Sequence, residues 1–128
     1  MFINKKTYKD THTLDQRISE SMRILSKYPS HIPVIVECCK NLGNLQKPKF
    51  LVPADVSASY LLHSIRKQFD NKNSSHEALF MFCDNMLICP TTIMSQIYDI
   101  TNEKKKGEDR NDKFMYVNIT SENTFGKK

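Results

Sequence analysis

Apolar side chains recur along this chain with two different periods, and the switches between them mark its elements. Leu14, Ile18, Met22 and Leu25 stand three or four residues apart, the spacing of one helical face, so a helix is predicted over 14–26. Thr13, with Gln16 three residues on, has the form of a capping box. Tyr28 ahead of Pro29 suits the exit, because a proline disfavours helical backbone in the residue before it. "HIPVIVECC" then changes to a β-branched run. Its Pro33 lacks an N–H, so it is tolerated only near the start of a strand or on an edge, and Cys38 and Cys39 close the run with one side chain in and one out. "KFLVP" supplies a second strand across the turn-rich stretch Asn41–Pro48, and the pair reads as a hairpin with a long loop.

Ala58, Leu61, Leu62, Ile65 and Phe69 fall at i, i+3, i+4, i+7 and i+11, the best amphipathic helix in the chain, with Ser57 placed as its N-cap. Beyond the polar "DNKNSSH" come "ALFMFC", a turn at Asp84 and Asn85, and the short apolar "MLIC". Ile93, Met94, Ile97 and Tyr98 predict a second short helix. "KFMYVNI" alternates as a final strand beyond a charged, solvated loop over Asn102–Asp112. From Thr120 to Lys128 there is one large apolar side chain, Phe125, and no period, so this end reads as an exposed tail. Helix, β, β, α, β, β, α, β is, past its first helix, the order of an α+β, ubiquitin-like β-grasp fold, in which one helix lies across a mixed sheet. The first helix is surplus to that core and must dock elsewhere. The expected organisation is an N-terminal helical extension over residues 1–30, a β-grasp core over 31–120 and a flexible tail over 121–128.

Composition narrows the classes. A chain of 128 residues holds one modest core, and 39% apolar with 26% charged residues is globular. The net charge of +5 is mild and partly balanced locally, since 103–113 carries five cations and four anions. A nucleic-acid binder would gather Lys and Arg on one face with aromatics between them, so no specific nucleic acid is expected, whereas a mild excess suits acidic peptides or anionic lipid. Lys5, Lys6, Lys9, Arg17, Arg23 and Lys27 against three acids keep a basic, cytoskeleton-associated adaptor open as an alternative. The N-terminus lacks a secretory apolar stretch and no apolar run approaches the ~20 residues of a membrane span, so a cytoplasmic protein with reduced thiols is expected. Neither the four cysteines nor His12, His31, His63 and His76 carry the local signature of a cysteine hydrolase. Adjacent Cys38 and Cys39 are not a C-x2-C zinc pair, and no Gly-rich phosphate loop or paired-carboxylate motif appears. No enzymatic activity, catalytic residue or metal site is expected.

Several stretches carry a resemblance: "KYPSHIPVIVE", "KFLVPAD", "SIRKQF", "ALFMF", "MSQIY" and "FMYVNITSENTFG". In order and, loop lengths apart, in register, they resemble the autophagy-related protein eight family, which includes the GABA-receptor-associated protein and the light chain three proteins of microtubule-associated proteins. The resemblance runs from about Tyr8 to Gly126. It implies a ubiquitin-like modifier made as a precursor, cut after Gly126 by a dedicated cysteine protease, with Phe125 supporting and Lys127 and Lys128 discarded. Activating and conjugating enzymes, which alone use ATP, would then join Gly126 to phosphatidylethanolamine. The product would be an adaptor at the autophagosome membrane with no cofactor beyond that covalent lipid. Glycine suits the position on physical grounds, because a residue without Cβ passes a narrow active-site channel.

The resemblance also implies capture of cargo receptors and adaptors through extended peptides of the form aromatic-x-x-aliphatic, added to a sheet edge with two side chains in two pockets. Glu20, Ile24, Pro33, Ile35, Lys49, Leu51 and Phe114 would line the aromatic pocket. Phe50, Val52, Pro53, Val56, Leu61 and Ser64 would line the aliphatic one, and Lys49 would meet acids that flank the motif. Leu61 stands where the family often has Phe, Ser64 where it has an aliphatic residue, and Gln68 and His31 where Arg is usual. Thr13 replaces a proline between two N-terminal helices, and the Asn102–Asp112 loop is long and charged. These departures support a second alternative, a soluble peptide-binding module that is not lipidated.

Overall fold

The structure is a computed structural model that describes residues 6–39, 45–69, 78–107 and 111–121. His31–Cys38 forms strand β1, apolar at successive positions because both of its faces are covered. Ile32, Val34 and Val36 point into the main core, while Ile35, though fully buried, points the other way. Strand β2, Lys49–Pro53, pairs antiparallel with β1, Pro33 opposite Leu51 and Ile35 opposite Lys49. Pro33 is the third residue of β1, ahead of Val34 where pairing with strand β5 (Met115–Ser121) begins, so its missing N–H falls where no β5 partner stands. β1 and β5 run parallel through the middle of the sheet. Strands β3, Leu79–Cys83, and β4, Met86–Leu87, complete the order β2-β1-β5-β3-β4.

Among the described residues there are four helices: α1 (Tyr8–Thr11), α2 (Leu14–Lys27), α3 (Ala58–Phe69) and α4 (Met94–Lys104). One sheet face is closed by α3, whose Ala58, Leu61, Ile65 and Phe69 are buried against Val34, Val36, Met81 and Val117, with Met94 and Ile97 of α4 in the same core. Ser57 precedes α3, its hydroxyl meeting Ser59 Oγ at 2.6 Å, while the Ala58 and Ser59 N–H groups donate to the Thr92 and Pro90 carbonyls. Helices α1 and α2 cover the opposite face. Thr13 caps α2 with both bonds of a capping box, Gln16 N–H to Thr13 Oγ1 at 3.1 Å and Thr13 N–H to Gln16 Oε1 at 2.8 Å. The expected α+β, ubiquitin-like sheet with N-terminal helices is therefore present.

Four local expectations need correction. Met22 does not face the core: it is 53% exposed, and Ser21, fully buried, holds the innermost position of α2. A small side chain is required there because α2 approaches the backbone ahead of β5 closely enough for Lys113 N–H to donate to Ser21 Oγ at 2.9 Å. Helix α4 runs on to Lys104, one turn into the stretch read as a charged loop, because buried Thr101 extends its inner face. The end of that stretch is not solvated either, since Asp112 is buried. Finally, β5 continues through Thr120 and Ser121, residues read as tail, which pair with Phe80 and Leu79.

Candidate functional site

β2 lies at the end of the strand order, and among the described residues no strand pairs with its outer edge. Gln68 of α3 brackets Lys47, accepting from its N–H at 3.2 Å and donating to its carbonyl at 3.0 Å, so the open edge begins at Lys49. Alternation along β2 sends Lys49 and Leu51 toward the α2 face and Val52 into the α3 core.

On the α2 face the edge borders a cavity of about 310 Å³ lined by Arg23, Ile24, Lys27, Tyr28, Pro33, Lys49, Phe50, Leu51 and Phe114. Ile24, Pro33, Lys49, Leu51 and Phe114 were named from sequence for one pocket, and the fold brings them together. Leu51, 38% exposed, leaves apolar surface uncovered at the opening, while Phe114 is buried within the wall. Two members of the set stand elsewhere. Ile35 lies beneath α1 and lines a neighbouring cavity, because the next inward position along β1 is one pleat further from the opening. Glu20 is at the rim, held by Arg23 through paired bonds at 2.9 and 3.2 Å and by Lys49 Nζ at 3.3 Å. The Arg23 bonds, against some desolvation and with help from Lys49, hold the Glu20 carboxyl below its usual range. Arg23, Lys27 and Tyr28 were not foreseen, although Lys27 and Tyr28 follow Ile24 at i+3 and i+4, on the same helical face.

On the α3 face, Val52 and Leu61 are fully buried members of the core, with Phe50 and Val56 half-buried against them. Ser64 is also half-buried, and its Oγ donates to the Tyr60 carbonyl at 3.1 Å, whereas Pro53, named from sequence for the same pocket, falls by strand alternation on the side of Lys49 and Leu51. Phe50 thus borders the first cavity while packing toward this second cluster.

Phe114 is positioned by Asp112. The Asp112 carboxylate accepts from Arg17 Nε at 2.9 Å, from the Tyr116 hydroxyl at 2.7 Å and from the Phe114 N–H at 3.0 Å, with Lys105 Nζ at 3.9 Å. Burial pushes its carboxyl up, but these donors together outweigh burial and hold it below the usual range. Burial, joined by the bond to Asp112, raises the Tyr116 phenol, which therefore stays a donor. The Tyr8 ring packs edge-on to Phe114 with centroids 5.4 Å apart, stacks on His12 at 4.0 Å, and has Lys49 Nζ 5.7 Å from its centroid. Gly126 and Phe125 lie outside the described residues. Among the described residues no helix is long and apolar enough to cross a membrane, and no group of three or more His, Cys, Asp or Glu could hold a metal ion.

Comparison with known proteins agrees with this geometry. Residues 16–126 match the family model described as autophagy protein Atg8, ubiquitin like. Autophagy-related protein 8c of Arabidopsis thaliana is 40% identical over 122 residues, covering 94% of this chain and 95% of that protein. Autophagy-related protein 8B of Oryza sativa subsp. japonica is 39% identical over 124 residues, covering 95% and 97%. The crystal structure of Trypanosoma brucei ATG8 superposes with a TM-score of 0.74 at 27% identity, over 93% of this chain and 97% of that one.

Proposed function

The chain belongs to the Atg8 family of ubiquitin-like autophagy proteins, and on that premise we propose that it is a modifier turned membrane adaptor. A cysteine protease cuts after Gly126, and the exposed carboxylate, activated and carried by partner enzymes, forms an amide with the amine of phosphatidylethanolamine. Two acyl chains then anchor the chain firmly, where one would hold it only marginally. At the autophagosome membrane it recruits cargo receptors that carry aromatic-x-x-aliphatic peptides.

One observation carries the recruitment reading: the open edge of β2 separates a cavity on one sheet face from an apolar cluster on the other. In an extended peptide, side chains an odd number of residues apart point to opposite faces. An aromatic at i and an aliphatic at i+3 would therefore straddle the edge, one toward Leu51 and Phe114, the other toward Val52 and Leu61. Main-chain bonds to β2 would supply affinity and the two side chains specificity. The Arg23, Lys27 and Lys49 cations at the rim suit acids beside the motif.

The test of lipidation is the intact mass after incubation with cell extract, ATP and phosphatidylethanolamine liposomes, beside a Gly126→Ala variant. Loss of two lysines followed by gain of one phospholipid, both absent from the variant, is the expected result. An unchanged mass in an extract that processes another family member leaves only the soluble peptide-binding reading. Peptide capture is tested separately by calorimetry with a peptide carrying the motif, against Leu51→Ala.

A further inference from the structure

A second, larger cavity of about 520 Å³ adjoins the first past the start of β2. Its walls come from the N-terminal segment (Tyr8, Thr11, His12), from β1 (Ile35, Glu37) and from Pro48. The Tyr8 ring, packed on Phe114 and approached by Lys49, is the partition between the two cavities. They differ in charge: the first is ringed by Arg23, Lys27 and Lys49, whereas the second has the carboxylate of Glu37 at its base and Lys6 on its lining. Glu37 Oε2 accepts from the Tyr8 N–H at 3.0 Å, which fixes the carboxylate under the aromatic stack of Tyr8 and His12.

We propose that this cavity is an upstream subsite of the peptide edge, and that it selects a Lys or Arg about four residues ahead of the aromatic. The proposal rests on the peptide-capture reading above. Direction follows from the two sites: the aromatic cavity is at the Lys49 end of β2 and the aliphatic cluster at the Pro53 end, so a peptide with its aromatic first runs parallel to β2. Residues ahead of the aromatic then pass Lys49 toward Pro48. Facing follows from the pleat. Pro33, Ile35 and Glu37 share one face of β1, so the guest over Glu37 is an even number of residues from the one over Pro33. Pro33 and Glu37 are four residues apart, ~13 Å along a strand, which an extended peptide spans in four residues. Gln68 already occupies both backbone groups of Lys47, so a docked strand loses its ladder there and its side chain is free to enter the cavity. Glu37 provides the counter-charge, and the Tyr8 and His12 rings flank the aliphatic stem of the guest.

Calorimetry with three peptides tests this, identical except for Lys, Ala or Glu four residues before the aromatic, on wild type and Glu37→Gln. Gln keeps an oxygen for the Tyr8 N–H, so α1 stays seated while the charge is removed. On wild type the Lys peptide is expected to bind about fivefold more tightly than the Ala peptide, the size of one partly exposed ion pair, with the Glu peptide weakest. On Glu37→Gln the Lys and Ala peptides should fall within about twofold of one another. Equal affinities on wild type, or a Lys preference that survives in Glu37→Gln, overturns the subsite and leaves peptide capture standing. Failure of all three peptides to bind wild type overturns peptide capture, and this subsite with it.

Discussion

Asp112 shows how much one buried carboxylate organises. It is 4% exposed and joins α2 through Arg17, the position just past α4 through Lys105 and β5 through Tyr116, and its own oxygen fixes the Phe114 backbone at the cavity wall. Replacing it with Ala leaves the Arg17 guanidinium in a half-buried site without its partner. Asp112→Ala should lower the free energy of unfolding by about 3 kcal/mol in guanidinium titrations. The folded carboxyl titrates below its unfolded value, so its stabilisation is fully present above that value and is lost as pH falls through the folded one. The gap between wild type and Asp112→Ala should thus hold constant from about pH 5 to 7 and shrink below about pH 4. The thiols divide just as sharply. Burial, with Asp84 adding to it, pushes Cys83 up to about 11, whereas exposed Cys89 is lowered by its bond to the Thr91 hydroxyl at 3.1 Å. Alkylation of the native protein near pH 7.5, read by peptide mapping, should modify Cys89 more than about tenfold faster than Cys83. Equal rates would mean that Cys83 is reached by local opening. Nothing in the sequence announced the Asp112 cluster, because Arg17 and Asp112 stand 95 residues apart and a pairing at that range has no local pattern.

Elements were legible where one face alone is buried or where punctuation is sharp. β2 occupies "KFLVP" as read, and the turn between β3 and β4 falls on Asp84 and Asn85, whose φ of 52° and 65° are those of a tight hairpin turn. α3 was readable because its period is unbroken over three turns. Misreadings occurred where the period is short or the inner position is polar. α1 is a single turn with no buried residue, so no stripe could reveal it; only the family resemblance implied a second N-terminal helix, and its local signal is Thr7 with Asp10, a capping box that the structure shows complete. In α2 the apolar count favoured Met22 over Ser21, yet close approach to Lys113 decides the phase. Of the candidate site, the residues on β2 were named through the family resemblance, with which strand alternation agrees, while Lys27 and Tyr28 were not, because the helix end reads first as a stop signal. Thr13 gives the element-scale prediction. Its hydroxyl and N–H are both used at the head of α2, and Thr13→Ala removes the first bond while keeping the second. A loss of about 1 kcal/mol is expected in thermal or denaturant unfolding. Since α2 supplies Arg23, Ile24 and Lys27 to the cavity, affinity for an aromatic-bearing peptide should fall with it, and an undiminished affinity would show that α2 is held by its tertiary contacts alone.

At the scale of the whole molecule, the sheet is a two-sided partition: β1 is buried on both faces, α3 closes one of them and the N-terminal helices the other. The second layer, surplus to a β-grasp core, gives the outer edge of β2 two different sides. That arrangement predicts how binding energies combine. A peptide aromatic should feel Leu51, on the α2 face, but its aliphatic residue, three positions on, should feel only the α3 face. Double-mutant cycles by calorimetry separate the two. Leu51→Ala paired with an aromatic→Ala peptide should show a coupling of about 1 kcal/mol or more, because both changes empty the same cavity. Leu51→Ala paired with an aliphatic→Ala peptide should be additive to within about 0.5 kcal/mol, because the sheet itself stands between the two side chains. Strong coupling in both cycles would require both peptide side chains to lie on one face. Extended backbone cannot place residues three apart there, so that result would replace an added strand with a helical or turned peptide.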